Sequence, residues 1–167
     1  MNRLLAFALA GLLVSSALVF TSCQACKKKL GITTTIENPE KGTPEYVIYK
    51  VIEAAIKAKT DEQAGWKLYK KQLHPNEVKA GLAAVKTWRQ FRLTTLTRKV
   101  HLFTKAEDNG KNVKDSSPVY ETAYKEVSEN EQRVKVFVVN EGNPEQPTPC
   151  KLERTADGWG VVDTCLN

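Results

Sequence analysis

The stretch Val119–Val139, VYETAYKEVSENEQRVKVFVV, decides the fold class. Its second half alternates: Val134, Val136 and Val138 fall on one face, and Lys135, Phe137 and Val139 on the other. That period of two is the mark of a half-buried strand. Val119–Val127 reads as its neighbour, rich in Tyr, Thr and Val, and the polar Ser128-Glu129-Asn130-Glu131 joins the two. Strands separated by so short a link pair antiparallel.

Working outward toward the C-terminus, Glu141 to Pro149 reads as a Pro-rich loop. Pro149–Arg154 and Trp159–Cys165 read as a last hairpin around Asp157-Gly158, a strong turn signal. Toward the N-terminus, residues 105–117 form a polar loop containing Asn109-Gly110, and Lys99–Phe103 reads as another strand. Upstream of Leu93 the character changes to helix. Thr43-Pro44 supplies a cap and a Pro at the first helical position. Val47, Ile48, Val51, Ile52, Ala55 and Ile56 then recur at helical spacing, giving a helix over about 44–58. Thr60-Asp61-Glu62-Gln63 reads as a capping box with Thr60 as cap. The helix behind it runs to about Leu73, with Trp66, Tyr69 and Leu73 on one side. His74-Pro75-Asn76 breaks it. A third helix, Pro75 to about Arg92, is expected to bury Val78, Leu82, Val85, Trp88 and Phe91. The expectation is an α+β domain over 44–167: three N-terminal helices packed on a curved antiparallel sheet of about four to five strands.

The chain holds four cysteines. If Asp157-Gly158 form the two-residue loop, Ala156 faces Trp159, and stepping outward puts Cys150 opposite Cys165, within reach of a disulfide. A slip of one residue would place them on opposite faces. The bland alternative is two buried thiols. Cys26 is left over, free or available to a second chain.

The first 22 residues read differently from the rest. Arg3 is the only charge before Lys27, Leu4–Phe20 is almost wholly apolar, and Phe20-Thr21-Ser22 leads into Cys23. A positive tip, an apolar middle and a small-residue cleavage site are the order of a secretory signal peptide. An uncleaved signal anchor is the alternative, although the 17 apolar-rich positions are short for a bilayer core of ~30 Å. The cysteine directly after the small residues resembles the lipobox of bacterial lipoproteins. The resemblance implies cleavage before Cys23 and acylation of Cys23 with fatty acids. Gln24 in place of Asp implies the outer rather than the inner membrane. Residues 23–43, with Lys27-Lys28-Lys29 directly behind the anchor, read as a tether.

The order of helices followed by a meander ending in Asp157-Gly158-Trp159-Gly160-Val161 resembles the nuclear transport factor two-like (cystatin-like) cone domains, over about 44–165. That resemblance implies a cone whose interior can hold a ligand or, in its enzymes, an acid or His as general base. On it, Trp88 and His101 are the candidate pocket residues.

Composition narrows the function. The net charge of +6 comes from Lys and Arg spread among acids rather than clustered with aromatics, which argues against a nucleic-acid partner. Of the two histidines, His74 is expected to be exposed in its turn, and His101 to lie on a strand. No nucleophile elbow, phosphate-binding Gly loop or metal-spaced His/Asp cluster is present, and Glu121, Glu126 and Asp163 read as solvated strand acids. Neither catalytic residues nor a metal or cofactor are assigned. The expected function is a non-enzymatic binding or assembly module, lipid-anchored in a bacterial envelope and facing the periplasm or cell surface, with the membrane and an envelope protein as partners. The alternatives are a small-ligand carrier using the cone and, behind it, a cone-type hydrolase, isomerase or dehydratase.

Overall fold

The computed structural model describes residues 33–79, 82–104 and 118–167, the side chains of 79 and 82–89 excepted. The sequence-stretch Val119–Val139 forms two paired strands as its alternation requires: β2 is Tyr120–Val127 and β3 is Arg133–Val138. They belong to a five-stranded antiparallel sheet of order β1-β2-β3-β4-β5, with β1 at Thr34–Ile36, β4 at Thr148–Thr155 and β5 at Gly158–Cys165. Among the described residues four helices accompany it: α1 (Pro44–Ala58), α2 (Glu62–Lys70), α3 (Pro75–Lys79) and α4 (Leu82–Lys99), the last running into a 3₁₀ turn at Val100–Leu102.

α1 begins where the sequence requires. Thr43 caps it, its hydroxyl accepting from the Tyr46 N–H at 3.2 Å, and Pro44 occupies the first turn. Its stripe of Val47, Ile48, Val51, Ile52 and Ala55 is buried against the inward row of the sheet, Val134, Val136, Val138, Leu152 and Val161. Each Val, Ile or Leu among them contributes about 1.5–3 kcal/mol when fully buried. α2 crosses α1 closely, because Gly65 has no side chain: a Cβ there would lie 2.5 Å from the Ala58 Cβ and 2.7 Å from the Ala54 carbonyl. The cap of α2 is Asp61, accepting from the Ala64 N–H at 2.9 Å, one residue beyond the expected Thr60, which instead donates to the Lys57 carbonyl.

Several expectations are overturned. The helices are not N-terminal in the domain, because β1, lying within the stretch read as tether, precedes them and pairs with β2. The sheet is flat and open rather than curved, and the molecule does not enclose a cone-shaped cavity, so the resemblance to the cone domains fails. The physical reason is that α1 lies directly on the sheet and its fully buried side chains fill the volume that a cone would leave open. The expected strand at Lys99–Phe103 is the end of α4 and the 3₁₀ turn. Leu93, Leu96, Val100 and Phe103 recur at spacings of three and four and are all buried, so a helical period continues through a β-branched stretch. Thr94 and Thr97 accommodate this by donating their hydroxyls to the Gln90 and Leu93 carbonyls one turn back. Of the expected buried face of the third helix, Val78 and Phe91 are exposed, at 41% and 63%, while the side chains of Leu82, Val85 and Trp88 lie outside the described ones.

The turn of the β4–β5 hairpin lies one residue earlier than expected. Thr155 faces Gly158, Arg154 faces Trp159 and Leu152 faces Val161, which leaves Ala156-Asp157 at the turn. Cys150 nevertheless faces Cys165, because β5 bulges: one residue, Lys151, stands between the two pairs on β4 and three, Val162 to Thr164, on β5. The sulfurs of Cys150 and Cys165 lie at bonding distance, 1.99 Å, within the core.

The outer edge of β5 is covered. Leu73 forms a parallel bridge with Val161, the His74 N–H donates to the Val161 carbonyl at 2.9 Å, and the Val161 N–H donates to the Gln72 carbonyl at 2.7 Å. Capping an edge strand in this way removes a template for pairing with other chains.

Candidate functional site

That same α2–α3 turn forms one wall of a surface groove. The opposite wall is the tip of the β4–β5 hairpin, Thr155 to Asp157 with Trp159, and the floor is the start of α1, Tyr46 and Val47. Lys41 and Gly42 close one end, and Lys71, Gln72, Leu73 and Pro75 line the helical side, around a volume of about 310 Å³. The hairpin tip is seated against the loop before α1, since a Cβ on Gly158 would stand 3.3 Å from the Gly42 Cα. Trp159 is fixed by the guanidinium of Arg154, 4.3 Å from its ring centroid. The groove therefore offers an aromatic wall, an amide and two ammonium groups. Among the described residues no ion pair involves Lys41 or Lys71.

A second depression, of about 380 Å³, lies between α3 and the sheet, lined by His74, Asn76 and Glu77 on one side and by Arg133, Lys135, Lys151, Glu153 and Asp163 on the other. Its charges compensate one another. Arg133 meets Glu153 at 3.5 Å, Lys135 meets Glu126 at 3.4 Å, and Lys151 meets Asp163 at 2.6 Å. The Lys151 hydrogen bond holds the Asp163 carboxyl below its ordinary range, with the Arg92 guanidinium adding to it at 3.5 Å. A self-compensated surface of this kind has less to offer a charged partner than the groove does.

Of the sequence-predicted site residues, the structure brings Cys150 and Cys165 together. Cys23 and Cys26 lie outside the described residues, as does the side chain of Trp88, whose backbone is in α4. His101 is exposed on the 3₁₀ turn and lines neither the groove nor the depression, which corrects its placement on a strand. His74 is buried at 7%, not exposed. Its ring is held at both nitrogens: Nε2 is 3.2 Å from the Arg154 carbonyl, and Nδ1 receives the Asn76 N–H at 3.2 Å. The acceptor role of Nδ1 fixes the tautomer with the proton on Nε2, donating to Arg154. Of the strand acids, Glu126 and Asp163 are paired as above, and Glu121 accepts from the Thr35 hydroxyl at 3.3 Å, tying β1 to β2. Among the described residues no cluster of three or more His, Cys, Asp or Glu could hold a metal ion, and no helix is long and apolar enough to cross a membrane.

The groove itself was not anticipated. Its elements were visible as the Asp157-Gly158 turn, the adjacent Trp159 and the His74-Pro75 break, but nothing in their spacing places the break against the turn; the Leu73–Val161 bridge does. No protein family matches this chain, and neither does any curated protein or any solved structure.

Proposed function

We propose that the protein is a lipid-anchored module of a bacterial envelope that binds or assembles with an envelope partner and carries out no chemistry of its own. The observation that carries this reading is the order Arg3, Leu4–Phe20, Thr21-Ser22-Cys23. It places an acylatable cysteine directly behind a secretory leader. Gln24, by the same resemblance, directs the anchored protein to the outer membrane, facing the periplasm or the cell surface. The Cys150–Cys165 pair supports export, because a buried disulfide persists in oxidising compartments and is rare in the cytosol. The non-enzymatic part rests on the histidines. The His74 ring is committed to the backbone at both nitrogens, and the exposed His101 has no place in the groove. General acid–base work needs a positioned group beside the reacting partner. The groove, with Trp159, Tyr46, Gln72 and its two lysines, is suited to hold a surface loop of a partner.

Labelling cells with a radioactive fatty acid tests the anchor. The wild-type protein takes up label, and the Cys23→Ala variant does not. Label persisting in that variant refutes the assignment of Cys23.

A further inference from the structure

The direction in which the chain meets the sheet bears on how an anchored domain would lie. β1 runs antiparallel to β2, with Thr34 opposite Thr122 and Ile36 opposite Tyr120. Followed backward from Thr34, the chain therefore heads toward Val127, the far end of β2. Val127 pairs with Val134 at the start of β3, Arg133 pairs with Glu153, and Thr155 pairs with Gly158. That end of the sheet is the hairpin end, the one that carries the groove. The ten residues 23–32 outside the described structure span at most about 35 Å when extended. Three of them are Lys27-Lys28-Lys29.

The helical side of the hairpin end is basic. Lys67, Lys70 and Lys71 are exposed at the C-terminal end of α2, and spacings of three and four place them along one stripe. Lys70 lies 5.7 Å from the Trp66 ring centroid, while Lys71 faces Lys41 across the groove and Arg154 stands on Trp159. Glu40 adjoins Lys41 in sequence, and Asp157 lines the groove. Two more acids, Glu129 and Glu131, sit in the β2–β3 turn, beyond β3 and β4 from this corner. The charge at this end is thus directional, positive beside α2 and negative at the β2–β3 turn.

We infer that the α2 corner of the hairpin end, through Lys41, Lys67, Lys70 and Lys71, seats the domain on the anionic headgroup layer of a bilayer. The inference rests on the lipid-anchor reading, which puts the membrane at the end from which the chain arrives. Charge complementarity selects that surface as occupant. Each lysine brought to an anionic membrane strengthens binding about fivefold, and the effect decays within a Debye length of ~10 Å.

The test uses the chain from Thr33 onward, which keeps every described residue and the entire core, Val47 to Leu166, and carries neither lipid nor Lys27-Lys28-Lys29. Sedimentation with vesicles of phosphatidylcholine, alone or with phosphatidylglycerol added, reads the docking surface by itself. The expected result is binding only to the phosphatidylglycerol vesicles, weakened by salt. The Lys70→Glu/Lys71→Glu variant should lose at least about tenfold more affinity than Arg98→Glu/Lys99→Glu. The latter makes the same change in net charge at the other end of the sheet, where the Glu141 N–H donates to the Leu102 carbonyl. All four residues are exposed, and circular dichroism checks that the variants stay folded. Equal loss from both variants, or no preference for phosphatidylglycerol, overturns the inference. Fatty-acid labelling of the full chain reads the anchor separately: label without vesicle preference refutes the surface alone, and vesicle preference without label refutes the anchor alone.

Discussion

Gly160→Ala should be the most disruptive single-methyl change on β5. A Cβ at position 160 would stand 2.6 Å from the His74 Cα, 2.9 Å from the His74 N and 3.1 Å from the His74 Cβ. Two of these three atoms are backbone, so no rotamer change relieves the overlap. The α2–α3 turn has to move away by about 1 Å to reach ordinary carbon contact. That movement strains the two hydrogen bonds that hold the turn to β5, His74 N–H to Val161 O at 2.9 Å and Val161 N–H to Gln72 O at 2.7 Å. It also loosens the His74 ring from the Arg154 carbonyl. Each hydrogen bond is worth about 0.5–1.5 kcal/mol, and forcing an extra carbon into a packed site costs about 1–3 kcal/mol. The expected destabilisation is therefore about 2–5 kcal/mol, a large share of the stability of a domain of this size. Urea unfolding followed by tryptophan fluorescence reads it as a fall in midpoint of about 0.7 M or more, on slopes of about 1–3 kcal/mol per molar. Gly142→Ala is the control, because its Cβ would meet only side-chain atoms, Asn140 Oδ1 at 3.2 Å and Leu102 Cδ2 at 3.5 Å. It should cost less than about 1 kcal/mol. A Gly160→Ala protein within 0.5 kcal/mol of wild type (about the scatter of surface changes) would refute the close seating of the turn on β5, and with it the groove wall.

Two further outcomes follow from the core. Replacing Cys150 and Cys165 together by Ser should lower stability by about 3 kcal/mol, from a loop closed over a separation of 15 residues; non-reducing peptide mapping should recover the two joined, and recovery of both as free thiols would remove the basis of the estimate. Tyr120 is fully buried and donates its hydroxyl to the Glu45 carbonyl at 2.7 Å, and burial, with the Glu45 charge adding, raises its pKa well above 10.0. Because the folded value is the higher one, this contribution is complete below about pH 10 and is lost as pH rises beyond it, where the unfolded tyrosine ionises and the folded one does not. Tyr120→Phe should cost about 1 kcal/mol at neutral pH yet make unfolding less steeply dependent on pH above 10, and an unchanged alkaline limb in a pH series of urea melts would contradict the burial of that hydroxyl.

What the sequence made legible is what local periodicity encodes. The Thr43-Pro44 start of α1, its apolar stripe and the alternation of β3 need only neighbours within a turn or a strand, and each is found as read. What failed depended on distant partners. Leu93 to Phe103 is rich in β-branched residues, and only the packing of Leu93, Leu96 and Val100 into the core holds it helical. Thr34–Ile36 carries two threonines and one isoleucine, too little pattern to announce a strand, and it exists because β2 offers a free edge. His74 reads as a surface residue of a broken helix, and becomes buried because the break is the piece that closes the edge of β5. The cone failed for the same reason. Its outline came from the order of elements, whereas its curvature would have needed volume that α1 occupies.

The cysteine pairing was anticipated, but through a register that the hairpin does not have, and the difference is informative. Continued without interruption from Leu152 opposite Val161, the ladder would set Asp163 opposite Cys150, in a row that is fully buried. An unpaired carboxylate there would carry a desolvation penalty of several kcal/mol. The bulge adds two residues, so the alternation of faces survives while Asp163 is turned out at φ +58, a conformation that aspartate tolerates better than most residues. Its carboxylate then meets Lys151 and Arg92 at the surface, and the position it vacates in the buried row is taken by Cys165. Expelling the charge and aligning the two sulfurs are thus one structural event.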